Sequence, residues 1–396
     1  MPPDPRRSTA SHHLYVHVPF CRLVCAYCDF VTVGGRGADI PRYVDALLAE
    51  LASVRPSGVL ETVYFGGGTP SLLPTADVAR IVAAAVAHWG RRPGEVTLEA
   101  NPSVREAPDW FGLRAAGVTR VSLGAQSLRD ADLRTLARGH TAAEVRAAFG
   151  AARVAGFGNV SLDLIYGIPG QGLGAWRRTL RAAIALQPEH LSLYALQLAL
   201  APDEWAAPPR PGALRWRARV AARQDDGLAA AQYRLAEELL AAAGFAHYEL
   251  SSWARPGFAS RHNAAYWARR PYTGIGAGAH SYDGAARRSW NTRDLDAYLG
   301  AVQAGTSPEA GHEALDPATR AWEAVALGLR RVDGIDRRAF AAEFGRDPVA
   351  TYPGPVRDTV TAGLLELDAD RLRLTDAGRL MASEALVAFV DGAAPA

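Results

Sequence analysis

The stretch Tyr15-Val16-His17-Val18-Pro19-Phe20-Cys21-Arg22-Leu23-Val24-Cys25-Ala26-Tyr27-Cys28-Asp29-Phe30 decides how this chain reads. It opens as a strand and runs into a loop that holds all three cysteines of the 396 residues. An odd number of thiols in one tight loop is not a disulfide framework, because pairing leaves one over. Three thiolates spaced Cys-x-x-x-Cys-x-x-Cys can hold three irons of a [4Fe–4S] cluster through Cys21, Cys25 and Cys28. The fourth iron then has no protein ligand and is open to chemistry. The alternative is a structural zinc site with His17 as the fourth ligand.

Outward from the loop, composition narrows the field. Hydrophobic residues make up 49% and charged residues 21%, which predicts a sizeable core and not a disordered chain. The length suits two or three domains. The formal net charge of +2 argues neither for nor against an acidic partner. The chain contains no lysine, which excludes lysine Schiff-base chemistry and a P-loop. No stretch is long and apolar enough to span a bilayer, and no apolar run of signal-peptide type follows Arg6-Arg7. The cytoplasm is the expected location, and its reducing conditions suit free thiolates.

From residue 13 to about 200, short apolar strands alternate with amphipathic helical stretches. The strands expected are His13–Val18, Thr62–Gly66, Val96–Ala100, Arg120–Gly124, Val160–Tyr166 and Leu191–Leu196. The helices between them are Ile40–Val54, Ala76–His88, Trp110–Ala116, Ala131–Ala137, Ala142–Ala155 and Ala175–Leu186. Thr141-Ala142-Ala143-Glu144 reads as a capping box. Six such units imply a parallel α/β sheet, curled into a partial (β/α)6 barrel, with an open doubly wound sheet as the other topology. Prolines over 202–215 mark a loop. A helix Leu228–Ala243 follows, then His247-Tyr248-Glu249-Leu250 and the segment Gly274-Ile275-Gly276-Ala277-Gly278-Ala279-His280. From residue 317, helices Ala318–Leu329, Arg337–Phe344 and Pro355–Leu364, a β-wing over Leu365–Leu374 and a last helix Asp376–Val390 resemble a winged-helix α+β domain. The wing mixes Glu366, Asp368 and Asp370 with Arg371 and Arg373, so it shows no basic stripe and no nucleic-acid partner is expected. The expected division is a tail over 1–12, a barrel over 13–200, an extension over 201–316 and a winged-helix-like domain over 317–390.

In a parallel barrel, function collects at the carboxyl ends of the strands. The first strand ends in the cysteine loop and the second in Gly66-Gly67-Gly68-Thr69-Pro70. The third ends in Glu99-Ala100-Asn101-Pro102 and the fourth in Gly124-Ala125-Gln126-Ser127. The fifth carries Asp163. Glycines admit close approach of a ligand to the backbone, whose N–H groups can meet a carboxylate. Glu99 and Asp163 can accept hydrogen bonds from an ammonium or from ribose hydroxyls, and Gln126 and Arg138 offer directed donors. The implied ligand carries an amine, a carboxylate and a ribose beside an iron with an open position.

These motifs resemble the radical S-adenosylmethionine superfamily. The wider set, with Tyr15-Val16-His17-Val18-Pro19-Phe20, Leu98-Glu99-Ala100-Asn101-Pro102, Leu136-Ala137-Arg138-Gly139-His140 and Leu162-Asp163-Leu164, is similar to its coproporphyrinogen III dehydrogenase-like group from about residue 13 to 390. The resemblance implies that Cys21, Cys25 and Cys28 ligate a [4Fe–4S] cluster. It implies that Tyr15, Gly67, Gly68, Thr69, Glu99, Gln126, Arg138 and Asp163 contact S-adenosylmethionine.

Two features separate the branches of that group. The dehydrogenases carry a further cysteine two positions after the third; here the residue is Phe30, the pattern of the heme chaperones. His262-Asn263-Ala264-Ala265-Tyr266-Trp267 matches a motif associated with heme handling in those chaperones. His262 would offer an axial nitrogen, with Tyr266 and Trp267 as a stacking wall. The alternative is a loop histidine capping a turn, with the two aromatics in the core. Relatives often carry cysteine at the position of Ala277, so a thiolate heme ligand is excluded there while His280 remains available. The resemblance therefore implies a heme chaperone that delivers heme to an acceptor protein. Homodimer formation and membrane association through the acceptor are compatible with it. The runner-up is an oxygen-independent coproporphyrinogen III dehydrogenase.

Overall fold

The computed structural model describes residues 11–198 and 212–390. Among them, strands β1 (Ser11–Val18), β2 (Val59–Gly67), β3 (Glu95–Ala100), β4 (Arg120–Gln126), β5 (Val160–Tyr166) and β6 (His190–Ala195) are parallel neighbours in that order. Helices α1 (Ile40–Ser53), α2 (Thr75–Trp89), α3 (Trp110–Ala115), α4 (Asp130–Thr135), α5 (Ala142–Val154) and α6 (Leu173–Ala185) occupy the crossovers. Each expected strand and helix of this region is present, and the first strand starts two residues early, at Ser11. The capping box forms: Thr141 Oγ1 accepts from the Glu144 N–H, and Glu144 accepts from the Thr141 N–H at 2.7 Å.

Beyond β6 come α7 (Ala213–Ala221) and α8 (Asp226–Ala242). The proline-rich loop expected over 202–215 lies outside the described residues up to 211, and from Ala213 the chain is already helical. Strands β7 (Ala246–Glu249) and β8 (Ser252–Ala254) add antiparallel to β6 in the order β6-β8-β7, and α9 (Arg261–Trp267) follows. On the other edge, β9 (Tyr272–Ile275) pairs parallel with β1, and β10 (His280–Tyr282), β11 (Arg287–Asn291) and β12 (Glu309–Ala314) continue antiparallel. The result is one sheet of twelve strands whose two edges, β12 and β7, do not pair. The barrel is therefore partial. The antiparallel wings were not predicted, because their strands are short and carry no clean alternation.

The six parallel strands alternate with period two, and the alternation sorts two environments. Leu14, Val16, Val63, Phe65, Val96, Leu98, Val121, Leu123, Leu162, Leu164, Leu191 and Leu193 join the main core with the helices. Each such side chain stabilises by roughly 1.5–3 kcal/mol when fully buried. The alternate positions are polar and bond to one another across strands. His13 Nδ1 meets Thr62 Oγ1 at 2.8 Å, Tyr64 donates to Glu99 at 2.7 Å, and Ser161 meets His190 at 2.8 Å. The barrel interior is thus polar, where closed barrels of this kind are filled with apolar layers.

A second core runs from Ala321 to Phe389. It joins α10 (Pro317–Gly328), further helices and a three-stranded sheet of Ile335–Asp336, Arg371–Leu374 and Leu365–Leu367. The expected last helix breaks at Met381, which has φ −118° and ψ 38°, into Asp376–Leu380 and Ala382–Val387. Arg371 and Arg373 of the wing face Asp336, Glu366 and Asp368 within 4 Å.

Candidate cofactor site at the carboxyl ends of the strands

Past β1 the backbone makes a two-residue parallel pair, Phe20–Cys21 with Val33–Gly34, which anchors both ends of the cysteine loop. The loop is tied from outside by Arg217 of α7, a buried side chain whose guanidinium donates to the carbonyls of Ala26 (2.8 Å) and Cys28 (3.0 Å). It also pairs with Asp29 at 2.6 Å. Gly67 and Gly68 pass directly over this segment. Gly67 has φ 111°, and a Cβ on it would meet the His17 ring at 2.5 Å; one on Gly68 would meet the Pro19 and Phe20 carbonyl oxygens at 2.7 Å. Only glycine fits there.

Cys21, Cys25 and Cys28 open onto one cavity of about 490 Å³, together with Gly67, Gly68, Thr69, Glu99, Gln126, Arg138 and Asp163. Seven of the eight residues expected at the cofactor thus come together. Tyr15 is the exception. It lies beneath the floor, with its hydroxyl 3.1 Å from His17 Nδ1. The glycine-loop amides expected to meet a ligand carboxylate have acceptors within the protein. The Gly67, Gly68 and Thr69 amides donate to Glu99, Val18 and Phe20. Sequence reasoning missed Asn101, Ser122, Ile165 and Tyr194, which also line the cavity. Ser122 and Ile165 could have been found from the strand alternation, since Ile165 lies two residues from Asp163 and Ser122 four from Gln126.

The donors around the sulfurs are specific. Arg138 Nη1 donates to Cys25 Sγ at 2.9 Å, and Thr69 Oγ1 lies 3.5 Å from Cys21 Sγ. Arg138 is aimed inward from Ala137, a non-glycine residue at φ 53°, and Gln126 itself has φ 63°. Such conformations hold only where the surroundings impose them. Burial, reinforced by the neighbouring thiols, pushes Cys21 up to about 12 and Cys28 up to about 11. Both free thiols keep their protons at neutral pH, and a metal must displace them.

The donor set fits an iron–sulfur cluster and not a four-ligand zinc site. His17 is buried, with Nε2 2.8 Å from the Val31 carbonyl and Nδ1 on Tyr15, so it is no fourth ligand. Among the described residues no three His, Cys, Asp or Glu side chains converge tightly enough for a single ion.

On the floor, Glu99 accepts from Tyr64 and from the Gly67 N–H at 3.2 Å. Burial raises it to about 7, with repulsion from Asp163 adding to the shift. Asp163 accepts from Ser122 at 3.0 Å on both oxygens and is likewise raised by burial. Two enclosed carboxylates beside one opening form a receptor for a cation.

The motif His262–Trp267 lies elsewhere. It forms α9 at the opposite, amino-terminal end of the strands, where Glu95 at the start of β3 accepts the His262 N–H at 3.2 Å. His262 is 1% exposed, with Nδ1 2.7 Å from Thr62 Oγ1 and Nε2 2.9 Å from the Tyr266 hydroxyl. Burial holds it well below the usual imidazole range. Both nitrogens of His262 are engaged by protein partners, and the Arg330 guanidinium lies 4.5 Å over the ring of the half-buried Trp267. In this arrangement the motif closes the amino-terminal end of the barrel interior, with His262 engaged by Thr62 and Tyr266. Ala277 is fully buried, and His280 stacks on Trp290 at 6.0 Å, away from the cavity.

A partial parallel barrel with a three-thiolate loop and a carboxylate floor defines the radical SAM class, and the model of the Radical SAM superfamily matches residues 15–183. The model of the HemN C-terminal domain matches residues 315–381. The chain is 40% identical over 380 residues to the heme chaperone HemW of Mycobacterium tuberculosis, covering 93% of this chain and 92% of that one. It is 32% identical over 387 residues to the heme chaperone HemW of Escherichia coli, covering 95% and 97%, and 30% identical over 387 residues to that of Bacillus subtilis, covering 95% and 98%. The chain belongs to the HemW family. Coproporphyrinogen III oxidase (HemN) from Escherichia coli shares the fold, with TM-score 0.80 and 21% identity over 97% of this chain and 91% of that chain.

Proposed function

We propose that the protein is a heme chaperone that carries a [4Fe–4S] cluster on Cys21, Cys25 and Cys28, binds S-adenosylmethionine in the cavity and passes heme to an acceptor protein. The observation that carries the cofactor reading is the convergence of three thiols, Arg138, Glu99 and Asp163 on one cavity. The names of the full-length relatives support heme as the cargo. When bound, the cluster supplies one iron with an open position. Arg138 and Thr69 donate to the sulfurs and balance thiolate charge, as outer partners of metal ligands do. Glu99 and Asp163 accept from ammonium and ribose hydroxyls, and Gln126 offers an amide to the adenosine side. Phe30, 68% exposed at the mouth, stands where a decarboxylating relative would carry a further cysteine.

No helix among the described residues is long and apolar enough to cross a membrane, and a cytoplasmic site of action suits three free thiols. The chain divides, in this reading, into the barrel, its extension and the C-terminal unit as the composition suggests. The test is anaerobic reconstitution with iron and sulfide, then S-adenosylmethionine binding, heme titration and heme transfer to an apo-acceptor. Robust turnover of coproporphyrinogen III by the reconstituted protein overturns the chaperone reading.

A further inference from the structure

Arg120, at the start of β4, is 2% exposed and among the largest fully buried side chains. Burying a guanidinium is unfavourable unless something compensates it. Yet its Nε has no hydrogen-bond partner, and among the described residues no carboxylate is paired with it. The register explains its position. Arg120 stands beside Thr97 as Ser122, two residues on, stands beside Glu99. Ser122 in turn donates to both oxygens of Asp163. Arg120 therefore lies one side-chain layer beneath the two carboxylates, on the same interior face. Its charge favours the ionised form of both, though less strongly than burial disfavours it.

Glu99 and Asp163 are enclosed and repel each other, so each favours its neutral form. A neutral carboxylic acid is a poor receptor for an ammonium. The hydroxyl of Tyr64, the Gly67 amide and the serines stabilise the charged forms but add no positive charge. Arginine does, and it cannot lose its proton in a protein. We propose that Arg120 is a positioning residue for the cationic ligand: a fixed positive charge under the cavity floor that favours the negative forms of Glu99 and Asp163 against their burial. This rests on the reading of the cavity as the S-adenosylmethionine site. The other titratable groups facing these three are Tyr15, Tyr64, Tyr194, Tyr248, Tyr266, His190 and His262. All are held neutral by burial, the tyrosines raised and the histidines lowered.

The experiment compares wild type with R120Q, R120M and R120K, each reconstituted with its cluster. S-adenosylmethionine affinity is measured between about pH 6 and 9, spanning the carboxylate and imidazole range. Removing the charge is expected to move the acid limb of binding up by about one pH unit, so that affinity on that limb falls about tenfold. Iron content stays unchanged, and R120K, which keeps the charge, restores the limb. The same limb in wild type, R120Q and R120M overturns the proposal, and so does a limb in R120K displaced as far as in R120Q. Infrared titration of the glutamate carboxylate, assigned with E99Q, gives a readout without ligand. If wild type fails to bind S-adenosylmethionine, the cavity reading falls. The infrared midpoint then decides Arg120 by itself: a rise in R120Q or R120M supports it, and no change overturns it. If neither neutral variant folds, R120K decides: a binding limb and infrared midpoint like wild type support the proposal, and displacement of either overturns it.

Discussion

Glu99→Gln separates a binding role from a structural one, because the structure predicts opposite signs for the two. Glu99 sits at about 7, raised chiefly by burial, against an ordinary value of 4.5. The folded, ligand-free protein therefore binds this proton more tightly than the unfolded chain does. Stability falls as pH rises from the unfolded value through about 7, and above that the full penalty of the buried charge is present. A shift of this size corresponds to at most roughly 3 kcal/mol, less where cavity solvent reaches the carboxylate. Glutamine removes that penalty, although its amide turned toward the Gly67 N–H forfeits one hydrogen bond of about 1 kcal/mol. Ligand-free Glu99→Gln is thus expected to match or exceed wild type in thermal stability at about pH 8 and to gain nothing at about pH 5. S-adenosylmethionine affinity moves the other way. Losing one hydrogen bond to a charged group costs roughly 1.5–3 kcal/mol, a tenfold to hundredfold loss. The loss is largest above about pH 7, and the acid limb of binding flattens. Calorimetric melting and isothermal titration on the reconstituted protein test both signs. Unchanged affinity at about pH 8, or a clear loss of ligand-free stability there, refutes the assignment of Glu99 as a ligand-facing carboxylate held against its own burial.

Cys21→Ala, Cys25→Ala and Cys28→Ala are each expected to lose the brown colour and most of about four irons per chain; stoichiometric zinc without acid-labile sulfide contradicts this. Arg217→Ala removes the two loop-carbonyl contacts and the Asp29 pair, and leaves Asp29 unpaired. Reconstituted iron should drop while the far-ultraviolet circular dichroism stays native. His262→Ala leaves the Tyr266 hydroxyl without its partner and opens a cavity beside Thr62, which keeps His13, so stability should fall by about 2–4 kcal/mol in denaturant titration. The Soret band of bound heme should stay in place, and a shifted band would restore His262 as an axial ligand. Asp163→Ala should weaken S-adenosylmethionine binding with iron content intact; unchanged affinity removes it from the site.

Local chemistry in this chain carried much of the outcome. The spacing of three cysteines in an otherwise cysteine-free chain needs no tertiary information to read as a metal-binding loop. The capping box at Thr141 and the six strand–helix units are written in turn chemistry and apolar period, and the structure follows them nearly residue by residue. Glu99 and Asp163 were legible because parallel strands deliver their carboxyl ends to one rim whatever the details of packing. Other features depended on groups far apart in sequence. Arg217 reaches back across 189 positions to hold the Cys28 carbonyl, and no local pattern announces that. The antiparallel strands β7, β8 and β10–β12 exist because a sheet edge was there to pair with, not because of their own propensity. His262 looks like a ligand in its motif, but Thr62 from a distant strand takes one nitrogen and Tyr266 the other. A side chain's chemistry is set by its residue type, whereas whether its polar atoms are free is set by what folding packs against them.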